Sequence, residues 1–138
     1  MNRQYLTVAL LACLGFSMAL IFAPIAEANC PNAQLSISAV KGQRGSMLTV
    51  TGKYFSPVCD DVGRGPRPRS PAKKINILLN QGKTSTLLTT VDADSSLSFS
   101  VTATIPMNAA LGSATLVAKA YGETTKPIAF EVMESAER

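Results

Sequence analysis

The side chains in this sequence best suited to chemistry are four aspartates, a Ser-x-x-Lys tetrad, a Gly-Lys-Thr tripeptide, a cysteine pair and a run of arginines and lysines; there is no histidine. Without histidine the chain lacks the commonest general base and metal ligand. Ser70-Pro71-Ala72-Lys73 has the spacing found in penicillin-recognising serine enzymes, but those hold the serine at a helix start beside companion motifs that are missing here. Gly82-Lys83-Thr84 ends like a phosphate-binding loop, yet Ile77 stands where that loop requires its first glycine, so the tripeptide reads as a hairpin turn. Asp60, Asp61, Asp92 and Asp94 could feed a calcium ion, which takes six to eight oxygens, only if their two loops met in space. Asp92 and Asp94 read more simply as turn residues. No acid, base and nucleophile converge, so the expectation is a non-enzyme with no metal and no cofactor.

The basic run is the strongest candidate for binding. Between residues 56 and 74 the apolar period disappears, and prolines, glycines and five cations accumulate: Arg64, Arg67, Arg69, Lys73 and Lys74. Loops of this length inside a compact domain are usually functional or disordered. The plain reading is solvated charge. The functional reading is a contact for something anionic, an acidic glycan, an envelope polymer, a lipid headgroup or an acidic protein. Pro66, Pro68 and Pro71 would keep the arm extended and lower the entropy lost on docking. Nucleic acid is not expected, because no aromatic residue stands among the arginines to stack on bases.

The chain that positions this loop begins with a candidate export signal. Arg3 gives a positive start, residues 6–23 are uncharged and mostly apolar, Pro24 interrupts, and Ala26-Glu27-Ala28 offers a cleavage site. Residues 1–28 therefore read as a signal peptide. About 18 uncharged residues also suffice for an uncleaved anchor, and Leu10-Leu11-Ala12-Cys13 resembles a lipidation site. After cleavage Cys30 and Cys59 remain, and an even pair in an exported chain favours a disulfide. With no histidine they make a poor zinc site. The leader removes Arg3 and Glu27 together, which leaves the formal charge at +4, a mildly basic balance.

Residues 29–134 read as one all-β domain, followed by a short polar tail at 135–138. Leu35, Ile37 and Ala39 suggest a first strand, and 41–45 a turn. Leu48 and Val50 alternate with Thr49 and Thr51 in the second strand, which marks a sheet with one solvated face; Gly52 would let the chain bend, and Tyr54 and Phe55 would cover one end of the core. Further strands are expected at 75–79, 84–91, 97–105, 115–121 and 128–132, with turns at 80–83, 92–95 and 122–125 and a short helical turn at 106–112. Seven short strands argue for an antiparallel immunoglobulin-like β-sandwich.

The order Gly45-Ser46-x-Leu48-x-Val50-x-Gly52-x-x-Phe55-Ser56-Pro57, then Asp92-Ala93-Asp94, then Ile105-Pro106 and Gly112, resembles bacterial secreted immunoglobulin-like domains of the IPT/TIG type over residues 35–133. That resemblance implies adhesion, spacer or accessory sugar-binding roles. The long basic loop and the cysteine pair depart from the pattern, and the tryptophan that antibody-type domains pack on their disulfide is absent. The strand pattern is also similar to that of enediyne apoproteins, whose cysteine arrangement this chain lacks. The sequence is thus read as an exported, non-enzymatic module, periplasmic, extracellular or at the cell surface. Its expected partner is a protein, glycan or anionic envelope component, with no membrane span if the signal is cleaved. The alternative is a membrane-tethered spacer or subunit that associates through a strand edge.

Overall fold

The computed structural model describes residues 31–57 and 69–135. Within them the chain is all-β: β1 (Gln34–Ile37), β2 (Lys41–Gln43), β3 (Met47–Lys53), β4 (Ile75–Gln81), β5 (Thr84–Val91), β6 (Phe99–Thr104), β7 (Gly112–Ala120), β8 (Glu123–Thr124) and β9 (Ile128–Met133). They form two sheets, a three-stranded one in the order β1-β3-β6 and a six-stranded one in the order β2-β9-β7-β4-β5 with β8 on β7. The leader at 1–28, Cys30, Cys59, Arg64 and Arg67 lie outside the described residues.

The inward faces follow the alternation in the sequence. Leu48, Val50, Phe99 and Ala103 from the smaller sheet meet Ile75, Ile77, Leu79, Leu116, Ala118, Phe130 and Val132 from the larger, all buried in one cluster. Sequestering apolar faces between two sheets is the main stabilising term of such a fold. Val117 is buried too, but on the outer face of the larger sheet, where the register sets it beside Leu78 and Leu78 beside Leu87. Cross-strand apolar pairs of this kind shield one another even on a solvated face.

Four features differ from the sequence reading. Lys41–Gln43, expected as a turn, forms β2 and runs parallel to β9, the one parallel pairing among these strands. The chain crosses between sheets just before it: Ser38 makes the last bond to β3, donating its N–H to Thr49 at 3.0 Å, and Val40 accepts the first from Glu131 at 2.9 Å. Leu97, expected to begin a long strand, instead adopts φ 61 inside a turn, and β6 starts at Phe99. Residues 106–112 make no helix; a single turn bond from Ala109 N–H to the Pro106 carbonyl at 3.1 Å is followed by β7. Finally, Gly52 does not serve as a bend. A Cβ there would lie 2.1 Å from the Phe99 ring and 2.7 Å from that of Phe55, so the glycine makes room for two aromatic rings to approach the backbone. Those rings pack edge-on with centroids 5.0 Å apart, the arrangement their quadrupoles favour.

The registers define two ends. At the apical end lie Lys53, the chain on both sides of 58–68, residues 92–98, the β7–β8 turn and the start of β1, which pairs Gln34 with Lys53. At the basal end lie residues 44–46, the Gly82-Lys83 hairpin turn, residues 105–111 and Glu134. The basal loops are tied together: Gln81 exchanges two bonds with Ala110, at 2.6 and 3.1 Å, and Arg44 Nε donates to the Ala109 carbonyl at 2.7 Å.

Candidate binding end

The basic loop emerges from the apical end through a closed neck. Ala72 N–H donates to the Phe55 carbonyl at 2.9 Å, Ala93 N–H donates to that of Ala72 at 2.8 Å, and Ser56 Oγ donates to the Ser70 carbonyl at 3.0 Å. The segment after the neck is fastened by Asp92. Its Oδ1 accepts the Lys74 backbone N–H at 2.8 Å, and its Oδ2 lies 3.4 Å from Lys73 Nζ. Tyr121 adds a second clasp, its hydroxyl accepting the Lys73 backbone N–H at 2.8 Å.

These contacts show where several sequence candidates stand. Lys73 pairs with Asp92, so its charge is partly matched, whereas the Arg69 and Lys74 side chains make no ion pair among the described residues. All three are exposed. Ser70 and Lys73 sit on extended chain with no helix near them, and Lys73 reaches Asp92, so the Ser-x-x-Lys spacing has no catalytic geometry. Asp94 is committed to its own turn: Oδ1 accepts Ser96 Oγ at 2.6 Å, Ser96 N–H at 2.9 Å and Ser98 N–H at 3.1 Å. Both carboxyls consequently titrate below the usual aspartate value, Asp92 chiefly through the Lys74 N–H and Asp94 chiefly through the Ser96 hydroxyl. Hydrogen bonds to a carboxylate stabilise its charged form. Among the described residues no group of acidic, histidine or cysteine side chains could hold a metal ion.

Beside the neck runs a groove of about 970 Å³. One wall is residues 31–36, including the start of β1. The other is residues 123–128, from β8 through the strand-free residues 125–127 to the first residue of β9. Phe55, Ala72 and Ala118 contribute the floor, and Tyr54 and Tyr121 also line it. The gap in the second wall is bridged by Thr125, a buried residue. Its Oγ1 accepts the Ala118 N–H at 2.9 Å, and its own N–H donates to the Ala118 carbonyl at 2.9 Å. One threonine thus satisfies both backbone groups of a β7 residue that β9 does not reach.

Backbone strain gathers at the same end. Among the described residues, those other than glycine with positive φ are Tyr54 (64°), Lys74 (54°), Leu97 (61°) and Tyr121 (52°), and all four lie in apical loops. Such conformations persist only where surrounding contacts impose them, and they concentrate at functional sites. Tyr121 and Gly122, φ 52° and 82°, form the two-residue turn between paired Ala120 and Glu123. Asn, Asp or Gly normally fills the first of these positions; tyrosine there trades backbone comfort for an exposed ring and the Lys73 clasp. Sequence reading overlooked both Tyr121 and Thr125. Gly122, directly after the apolar stretch at 114–121, was the available signal for the first, and nothing local announced the second. Among the described residues no helix is long and apolar enough to cross a membrane. Set beside known proteins, the chain matches no family model and no curated sequence.

Proposed function

We propose that this protein is an exported, non-enzymatic binding or structural module of the immunoglobulin-like, IPT/TIG type, which meets an anionic envelope or extracellular partner at its apical end. Counting β1 and β2 as one first strand that changes sheets, and β8 as the lip of the β7–β9 connection, leaves the seven principal strands of such a sandwich. The observation that carries the functional reading is the coincidence at one end of exposed Arg69, Lys73 and Lys74, two exposed tyrosines and the strained backbone that fixes them. Arg64 and Arg67 belong to the same loop in sequence and extend its basic character. Cys30 and Cys59 stand one and two residues from Pro31 and Pro57, which line one groove; a disulfide between them would staple the N-terminus to the loop neck.

The test is co-sedimentation of the protein with the envelope fraction of its producing cells at low and high salt. Binding through this end should weaken steeply with salt and fall when Arg64, Arg67, Arg69, Lys73 and Lys74 are all replaced by serine. Unchanged binding of that variant would refute the reading. A tethered module that associates by strand addition is the second reading, favoured by the outer edge of β1, which no strand covers among the described residues. Its signature would be salt-insensitive self-association.

A further inference from the structure

We infer that the apical end rests on an anionic lipid bilayer, with the Tyr121 turn and the Tyr54 loop at the headgroup level and the basal end facing away. This rests on the reading of the apical end as a contact for an anionic partner, and names that partner. Three independent features point the same way.

The first is where the chain enters. Pro31 opens the described structure on the groove wall at the apical end, so the thirty residues before it, including the uncharged run at 6–23, join the domain there. Glu134 leaves from the opposite end. Any form that keeps the leader, or a lipid on Cys13, would therefore hold the apical end against the bilayer.

The second is charge. Lys53, Arg69, Lys73, Lys74, Lys119 and Lys126 are exposed towards the apical end, against Asp92, Asp94 and Glu123. With Lys73 and Asp92 offsetting each other, Lys53, Arg69, Lys74, Lys119 and Lys126 stand against Asp94 and Glu123. Among the described residues the basal half carries only Lys41, Arg44 and Lys83 against Glu131 and Glu134. Cations near an anionic leaflet add up, each strengthening association while it stays within a Debye length of the surface.

The third is the exposed aromatics. Tyr54 is 42% and Tyr121 55% exposed, Tyr54 directly after β3 and Tyr121 in the β7–β8 turn, both at this end. Tyrosine is favoured at the membrane–water interface, where an apolar ring and a polar tip suit the headgroup layer.

The chain has no tryptophan, so one introduced indole reports its own surroundings. The exported protein without its leader, residues 29–138, carrying Tyr121→Trp would be mixed with vesicles of phosphatidylcholine alone or with phosphatidylglycerol added, and a Leu111→Trp protein would serve as the basal control. The expected result is an emission blue shift for Tyr121→Trp on the anionic vesicles only, reversed by high salt, with no shift for Leu111→Trp. Lys53→Ser and Lys126→Ser should each lower anionic partitioning about fivefold, whereas Lys41→Ser and Lys83→Ser should leave it unchanged. If the indole at position 121 perturbs folding, Tyr54→Trp carries the same expectation. No shift at the apical end, or equal shifts at both ends, overturns the inference. Salt-sensitive envelope binding without vesicle binding would leave the apical contact standing and remove lipid as its partner; loss of both would remove the contact itself.

Discussion

Asp92 accepts the backbone N–H of Lys74 at 2.8 Å, and through this bond a residue of the β5–β6 connection holds the returning arm of the basic loop. Lys74 stands at φ 54° where it makes the bond, so the carboxylate helps hold a backbone geometry that a lysine does not choose by itself. The ion pair with Lys73 is solvent-exposed on both sides and adds little stability. The Asp92→Asn variant should therefore fold and melt close to the parent, but show faster amide exchange at Lys73, Lys74 and the loop neck. Protection unchanged at these amides would mean that the neck is held by the Phe55–Ala72 ladder alone.

Acid should loosen the same end. The folded-state pKa values of Asp92 and Asp94 are lowered from 3.8, so both groups bind protons more weakly folded than unfolded. Their contribution is fully present above that ordinary value and is lost as pH falls below it through the lowered folded values. With no histidine in the chain, stability should be flat from neutral pH down to about pH 5, by the range over which carboxylates titrate. A thermal melt series across pH 2 to 8 checks this; a transition near pH 6 would contradict it.

Gly52→Ala is expected to be among the most damaging single changes in the core. The added methyl would overlap both aromatic rings that close the apical end, and overpacking of this kind costs about 3 kcal/mol at the upper end of its usual range. Chemical denaturation of the purified variant measures it, and a loss below about 1 kcal/mol would show that the rings can move aside.

Thr125 separates a hydrogen-bonding role from a packing role. Thr125→Val keeps the shape but leaves the buried Ala118 N–H without its 2.9 Å acceptor, at an expected cost of about 1–3 kcal/mol. Thr125→Ser keeps the oxygen and should lose less. A neutral Thr125→Val beside a costly Thr125→Ser would indicate that only the γ-methyl matters.

These residues also mark how far the sequence could be read. Leu48, Val50, Phe99, Ala103, Phe130 and Val132 announced their strands because a two-residue period matches a half-buried sheet, and each is buried. β2 was not legible, since a three-residue parallel pairing has no alternation to display and depends on β9, whose paired residues stand 90 positions further on. Leu97 fitted the period by chance; the Asp94 side chain captured the backbone at Ser96 and Ser98 and wound the chain into a turn instead. At the candidate site, the cations could be counted from the sequence, but their partners could not. That Lys73 is clasped by Asp92 and Tyr121, from two different connections, is a fact of topology.

The cysteine pair gives a covalent check on the apical end. With Pro31 and Pro57 on one groove, Cys30 and Cys59 are expected to be joined in the exported protein, which would gain two mass units on reduction and lose about 3–4 kcal/mol of stability for a loop of this size. Two free thiols in the native protein would contradict this.

The most direct measurement is the salt dependence of binding to the native envelope fraction, compared between the parent protein and the variant with serine at positions 64, 67, 69, 73 and 74. The expected outcome is a steep fall in affinity with ionic strength for the parent and a weaker, nearly flat response for the variant, at matching melting temperatures. Superimposable curves would show that the apical cations are merely solvated charge, and would contradict the proposed binding function.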